Sequence, residues 1–451
     1  MARLFGTDGV RGLANRDITA ELALDLGASA AHTLTARQHG GVAERRPRAV
    51  VGRDTRISGE FLSAAVCAGL ASAGVDVTDV GVLPTPGVAH LTASTDVDLG
   101  VVVSASHNAM PDNGIKFFAR GGFKLADAIE DEIAAGMGAP WERPTGAAVG
   151  SIATDAAIAD RSYIDHLVSA TDQPLAGLRI ALDCANGAAS EVAPLALREA
   201  GADVVVINAS PDGRNINEKC GSTHPEQLQA VTVASEAALG VAYDGDADRC
   251  VAVDHTGALV DGDQIMGLLA TAMKEAGELP QDTLVVTTMS NLGLLIAMRE
   301  AGIATVQTGV GDRYVLEAMR EGGFGLGGEQ SGHIINASYA TTGDGVLTSL
   351  LLAARVVATG SSLAELASVV TRLPQVLVNV PGVDKTRSST DGGVAEAVRE
   401  AEARLGDHGR VLLRPSGTEP LVRVMVEAAT QDEAAAVAHA LAETVKDRLS
   451  L

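Results

Sequence analysis

Short apolar, β-branched runs alternate along this chain with longer Ala- and Leu-rich amphipathic segments. Residues 49–51, 100–103, 180–182, 239–242 and 284–287 are almost continuously apolar, the pattern of strands buried on both faces. Residues 59–73, 225–238 and 291–301 carry apolar positions at helical spacing and predict helices. Alternation of this kind predicts α/β layers with parallel or mixed sheets. Towards the C-terminus the pattern changes. Residues 375–380, 410–413 and 421–426 predict three closely spaced strands, and 432–449 a closing helix, which together read as a smaller α+β domain. Prolines at Ala139-Pro140-Trp141-Glu142-Arg143-Pro144 and at Leu373-Pro374 restrict the backbone and mark linkers. Three successive α/β blocks of similar size hint at a repeated architecture, though no sequence repeat connects them.

Composition narrows the picture. A chain of 451 residues is too long for one ordinary core, so three or four domains are expected. Hydrophobic residues make up 46%, enough for extensive burial, but aromatics only 2%, so the cores rest on Ala, Val, Leu and Ile. So few rings disfavour base stacking, and a net charge of −23 repels nucleic acid and anionic membrane surfaces. Cys67, Cys184, Cys220 and Cys250 are far apart without metal-ligand spacing, and predict buried thiols in a reducing compartment. The first residues lack an apolar secretion segment, and the apolar run 347–352 soon meets Arg355. A cytoplasmic protein with neither a membrane nor a nucleic-acid partner is expected.

Four polar loops carry the candidate chemistry, each after a predicted strand, where ligands of open α/β sheets gather. In Ser104-Ala105-Ser106-His107-Asn108, the Ser106 hydroxyl is a candidate covalent carrier. Its flanking residues exclude the G-x-S-x-G hydrolase elbow, and a polar turn capping a helix is the plainer alternative. Asp112-Asn113-Gly114-Ile115-Lys116 follows as a tight turn with Lys116 as candidate acid/base, or else a solvated surface lysine. In Asp244-Gly245-Asp246-Ala247-Asp248-Arg249, three alternating carboxylates call for a hard cation, Mg²⁺ or Ca²⁺. Arg249 and His255 stand where an EF-hand needs Gly and Glu, so that motif is excluded, and a phosphate oxygen would suit as a further ligand. Gly327-Gly328-Glu329-Gln330-Ser331-Gly332-His333 offers close backbone approach and groups suited to sugar hydroxyls. Arg414-Pro415-Ser416-Gly417-Thr418-Glu419-Pro420, with Arg423 nearby, suits a phosphate cradle or a solvent-facing turn. Only 34 basic residues exist, yet Arg11, Arg53, Lys116, Arg249, Arg313 and Arg414 all lie in or beside such loops, as a positive cleft for a phosphorylated substrate would require.

Taken in order, from Phe5-Gly6-Thr7-Asp8-Gly9-Val10-Arg11-Gly12 to Arg414-Pro415-Ser416-Gly417-Thr418, these motifs resemble the α-D-phosphohexomutase superfamily over nearly the whole chain. The resemblance implies a four-domain α/β architecture: three related α/β/α domains at 1–155, 156–258 and 259–372, and a smaller C-terminal α+β domain at 373–451. It implies a phosphoserine at Ser106 and one Mg²⁺ per chain, held by Asp244, Asp246, Asp248 and the group on Ser106. Glu329 and Ser331 would contact the sugar. Arg414, Ser416, Gly417, Thr418 and Arg423 would bind the distal phosphate. Lys116, His333, Arg11 and Arg249 would line the reacting end. Lys116 or His333 would move the proton, Lys116 with a pKa lowered by cations such as Arg11. Ala109 stands where such families often carry proline, and the proline comes at Pro111 instead.

Within the superfamily, the Leu4 to Gly12 opening, Met289-Ser290-Asn291-Leu292-Gly293 and Gln330 resemble the branch acting on glucosamine phosphate. That activity interconverts the 6- and 1-phosphates through a 1,6-bisphosphate and feeds UDP-N-acetylglucosamine and cell-wall synthesis. Mannose or glucose phosphate is the nearest alternative substrate, and a non-catalytic phosphosugar-binding protein the alternative from another class. The expected partner is a small phosphosugar, and the chain is expected to be a monomer or homodimer.

Overall fold

The structure, a computed structural model, describes residues 3–6, 8–39, 45–416 and 421–451. The chain divides into two compact units: residues 1–289 with 303–368, and residues 290–302 with 369–451. The first unit holds three sheets, the second one.

The first sheet is formed by β1 (Val10–Leu13), β2 (Arg48–Arg53), β3 (Asp76–Val82), β4 (Leu99–Val103), β5 (Asp112–Ala119), β6 (Phe123–Lys124) and β7 (Ile152–Thr154), in the order β1-β5-β4-β2-β3-β7, with β6 beside β5. The second contains β8 (Arg179–Asp183), β9 (Asp203–Ile207), β10 (Leu239–Tyr243), β11 (Cys250–Asp254) and β12 (Leu259–Val260), in the order β12-β11-β10-β8-β9. The third contains β13 (Thr283–Thr287), β14 (Ala304–Thr308), β15 (Leu326–Gly328) and β16 (Ile334–Asn336), in the order β14-β13-β15-β16.

The repetition that the sequence only hinted at is explicit in the pairing. Each sheet has a parallel portion whose last strand (β4, β10 or β15) is followed by a strand returning antiparallel beside it (β5, β11 or β16). The three candidate loops are the connections at these reversals. Val103 lies opposite Ile115, Tyr243 opposite Cys250, and Gly328 opposite Ile334. Residues 112–116 are therefore strand, not the expected tight turn. Gly327 and Gly328 belong to β15 rather than to the loop.

Of the apolar runs read as doubly buried strands, those in β4, β10 and β13 are buried at every residue, and so is β11, which lies outside those runs. Helices flank them, and their ends follow local capping chemistry. The helix Gly262–Ala276 opens with a reciprocal capping box between Asp261 and Gln264 and stops at the left-handed Gly277. The expected helix at 225–238 is shorter, Glu226–Ala234, because Glu236 adopts a positive φ. Core side chains are mainly aliphatic, as the low aromatic content requires, and all four cysteines are buried free thiols. Among the described residues no helix is long and apolar enough to cross a membrane.

In the second unit, β17 (Gln375–Pro381), β18 (Arg410–Pro415) and β19 (Leu421–Glu427) form an antiparallel sheet in the order β17-β19-β18. Helices Gly392–Leu405 and Gln431–Leu449 pack on it through Val394, Leu405, Val437, Leu441 and Val445.

Candidate active site

Three of the four loops meet in the first unit. Ser106 is fully buried with a left-handed backbone (φ 53°), and the chain runs on into β5. No helix follows, so the helix-cap alternative fails. Its Oγ donates to Asp244 Oδ2 at 2.5 Å, joining the serine loop to the aspartate loop. The backbones also touch: a Cβ on Gly245 would lie 2.6 Å from the Ser106 carbonyl oxygen, so only glycine fits there.

Asp244, Asp246 and Asp248 are buried, with one ligand oxygen from each lying within 4.8 Å of the others. Thr85 Oγ1 and Lys116 Nζ both donate to Asp246 Oδ2, at 2.6 and 2.9 Å. Asp248 Oδ2 faces Lys116 Nζ at 3.6 Å and His333 Nδ1 at 3.7 Å. The Oδ1 atoms of Asp246 and Asp248 are buried without a hydrogen-bond partner. A buried carboxylate oxygen without a hydrogen bond is costly, even with Arg249 Nε 3.7 Å from Asp248 Oδ1, and two such oxygens beside a third carboxylate suit a divalent cation. The donor set fits a hard cation.

The charges around it are strongly split. Burial and the neighbouring Asp248 and Asp246 raise the pKa of Asp244 well above the usual carboxylate value. Burial acts the same way on Asp248, but Lys116 and His333 outweigh it and hold Asp248 well below that value. Lys116 is only 2% exposed, so it is no solvated surface lysine. Burial opposes its charge, yet Asp246, Asp8 and Asp248 prevail and raise its pKa. This reverses the expected lowering: Arg11 acts in the predicted direction, but three carboxylates overrule it.

A closed circuit of buried and half-buried charges surrounds the cluster. Lys116 Nζ lies 2.8 Å from Asp8 Oδ2, and Asp8 also pairs with Arg11 and, at 2.6 Å, with Lys124. Lys124 pairs with Asp312, which lies 3.5 Å from His333 Nε2, and His333 leads back to Asp248. His107 stands with Nδ1 3.4 Å from Ser106 Oγ. Burial, Arg249 and Arg11 push its pKa down to about 4, so it is a neutral imidazole at neutral pH.

The third loop contributes Glu329 and Ser331, which with Arg249, Thr287, Met289, Val310 and Gln330 line a cavity of about 410 Å³, within the range of small-molecule sites. Glu329 Oε1 accepts the Gly311 amide at 3.1 Å and Oε2 faces Ser331 Oγ at 3.3 Å. Gln330 donates to Asp263 at 2.9 Å. The loop rests on β11 through Gly332, which has φ +90° and accepts the Cys250 amide at 3.1 Å. A Cβ there would lie 2.0 Å from the Cys250 carbonyl oxygen. Gly332→Ala is expected to destabilise this unit by about 2–4 kcal/mol through backbone strain and overlap. Urea unfolding followed by circular dichroism checks this; an unshifted transition would show that the loop does not depend on that contact.

In the second unit, Arg414 and Arg423 are cross-strand partners of β18 and β19, and neither pairs with a carboxylate among the described residues. Like charges directly opposite are destabilising unless an anion sits between them, which suits a phosphate. The Ser416 amide donates to Leu421, and Lys385 Nζ donates to the Ser416 carbonyl at 2.6 Å. Gly417 and Thr418 lie outside the described residues.

Two members of the expected basic cluster do not join it. Arg53 pairs with Asp79 at 3.3 Å, and Arg313 pairs with Asp127 and with Glu130. Conversely, Asp8, Thr85, His107, Lys124 and Asp312 contribute without having been singled out, as do Asp54, Arg56 and Asn217 around the serine loop.

Four family models match consecutive stretches of the chain. The phosphoglucomutase/phosphomannomutase α/β/α domains I, II and III match residues 2–141, 161–257 and 261–373, and the C-terminal domain of that family matches 376–444. The chain is 62% identical over 456 residues to a phosphoglucosamine mutase of Bifidobacterium animalis subsp. lactis, covering 100% of both. It is 62% identical over 454 residues to that of Streptomyces coelicolor, again over 100% of both. Among solved structures it resembles a phosphoglucomutase/phosphomannomutase family protein of Burkholderia thailandensis (TM-score 0.82, 25% identity, 99% and 97% of the two chains). It shares its fold with the Aspergillus fumigatus N-acetylphosphoglucosamine mutase solved with GlcNAc-6P and magnesium (TM-score 0.71, 20% identity, 99% and 96%).

Proposed function

The chain belongs to the phosphoglucomutase/phosphomannomutase family, and from that premise we propose that it interconverts glucosamine 6-phosphate and glucosamine 1-phosphate in the cytoplasm. The full-length relatives at 60–62% identity that bear the name phosphoglucosamine mutase support the substrate. The observation that carries the chemistry is the contact of Ser106 Oγ with Asp244, beside two carboxylates that each keep a buried oxygen without a hydrogen bond.

In this reading Ser106 carries the phosphoryl group and gives it to a sugar hydroxyl. The Oγ–P bond breaks as the new O–P bond forms, and the hydroxyl's proton ends on Oγ by way of Lys116 or His333. The reverse step takes back the phosphate at the other end of the resulting glucosamine 1,6-bisphosphate. Asp244, Asp246 and Asp248 hold Mg²⁺, which when bound offsets the negative charge of the transferring group. Lys116 enters the reaction charged. With Asp246 at 2.9 Å and Asp8 at 2.8 Å it keeps a proton at Nζ and serves as a donor to the reacting oxygens rather than as a depressed-pKa base. His333, with Nδ1 facing Asp248 and Nε2 accepting the Gly343 amide, is the second proton-handling group. Arg11 and Arg249 add fixed positive charge at the reacting end. Glu329 and Ser331 bind the sugar hydroxyls, and Arg414, Ser416, Gly417, Thr418 and Arg423 bind the phosphate that is not reacting. Separate holds on ring and distal phosphate are what a turning intermediate needs, since each end must be received in turn.

Parallel assays of glucosamine, glucose and mannose phosphates test the substrate. The expected result is a kcat/KM for glucosamine 6-phosphate at least about tenfold above the others, the gain from one well-made polar contact. Equal or faster turnover of mannose or glucose phosphate would overturn it.

A further inference from the structure

Ser106 is held in a backbone conformation that residues other than glycine seldom adopt, so its surroundings must over-determine it. One side chain does most of this. Arg56, at the N-cap of the helix Ile57–Ser72, has a fully buried guanidinium, and all five of its N–H donors are used. Nη2 donates to the carbonyls of Ser106 (3.1 Å) and Asn108 (2.8 Å). Nη1 donates to those of Ala109 (2.6 Å) and Asp112 (3.1 Å), and Nε to Asp54 Oδ2 (2.9 Å). Four carbonyls of one reversal thus converge on a single planar fork.

The other side of Ser106 ends on the same pair. Its amide donates to Ser104 Oγ at 2.9 Å, and Ser104 Oγ donates to Asp54 Oδ2 at 2.7 Å. The amide and carbonyl of residue 106 are therefore linked in one hydrogen-bonded circuit through Ser104, Asp54 and Arg56. From beyond the first sheet, Asn217 Nδ2 donates to the Ser106 and Asn108 carbonyls, at 2.9 and 3.1 Å.

Resting on the reading of Ser106 as phosphoryl carrier, we infer that Arg56 is a positioning residue for the reaction: its guanidinium, neutralised by Asp54, holds the serine loop so that Oγ faces the aspartate cluster. Lysine cannot replace it, because a point ammonium with three donors cannot meet four carbonyls and a carboxylate in one plane.

The test uses the full chain with Arg56→Lys, Arg56→Met and Asn217→Ala. Each is measured for kcat and KM on glucosamine 6-phosphate, for phosphate on Ser106 by intact mass after exposure to glucosamine 1,6-bisphosphate, and for Mn²⁺ affinity by calorimetry. Misplacing a reacting group by about 1 Å can cost about 100-fold in rate. In folded Arg56→Lys, kcat is therefore expected to fall about 10- to 100-fold, with slower phosphate uptake, while KM and Mn²⁺ affinity stay within about threefold. Asn217→Ala should move kcat the same way by less. A folded Arg56→Lys with kcat within about twofold of the parent overturns the inference, and so does a parallel loss of kcat, KM and Mn²⁺ affinity. If neither Arg56 variant folds, Asn217→Ala decides by the same criteria. A parent chain that takes no phosphate on Ser106 would instead sink the phosphoserine reading itself, and this inference with it.

Discussion

Replacing Ser106 with alanine is expected to reduce mutase turnover by about 10⁴-fold or more, the scale seen when an enzyme loses its nucleophile. The loss follows from position. Oγ lies 2.5 Å from Asp244, and the nearest other hydroxyl cannot substitute for it, because Ser104 Oγ is already engaged with Asp54. Ser106→Ala should also carry no phosphate by intact mass. Its fold should persist at a cost of about 1–3 kcal/mol, since Asp244 loses one hydrogen bond in a buried setting. Metal affinity should fall, but by less than on loss of an aspartate, because the three carboxylates remain and only the ligand on Ser106 is gone. Retained turnover would remove Ser106 from the mechanism.

Asp246→Asn addresses the metal separately. Thr85 and Lys116 both donate to Oδ2 of Asp246, so the amide oxygen of asparagine will take that place. Its NH₂ then occupies the bare Oδ1 position and presents hydrogens where a cation needs a lone pair. Substituting groups merely behind a metal ligand costs about 10–100-fold in affinity, so losing a charged ligand should cost on the order of 100-fold or more. Mg²⁺ titrated by calorimetry, with the concentration needed for half-maximal activity as a second readout, checks this. An unchanged titration would rule out Asp246 as a ligand. Both substitutions leave Lys116 with Asp8 and Asp248, so neither should unfold the first unit.

The loops at 104–108, 244–249 and 327–333 were legible because each breaks an apolar run with residues whose polar side chains an apolar core does not need. The same rule applied to residues 49–51 would have found Asp54 and Arg56, which also follow a buried strand. Nothing in the neighbouring residues marks the role of Arg56, which is among the most deeply buried side chains and whose carbonyl partners lie about 50 positions away at residues 106–112. For Lys116 the sequence suggests a lowered pKa, and the structure reverses that direction. Arg11 was visible in the opening motif, but the carboxylates that outweigh it come from residues 8, 246 and 248, two of them about 130 positions away in the chain. Arg53 and Arg313 show the opposite failure: loop position suggested a shared cleft, and each is instead spent on an ion pair with Asp79 or with Asp127 and Glu130.

The α/β class, the α+β tail and the separate motifs follow from sequence alone, because periodicity and local residue chemistry act over a few neighbours. The tertiary structure alone decided that three loops occupy equivalent reversals in three sheets, and that Ser106 meets Asp244 across 138 positions. It also decided which charges outweigh which. Electrostatic balance in a buried site depends on distances between residues remote in the chain, and those distances exist only once the sheets have formed.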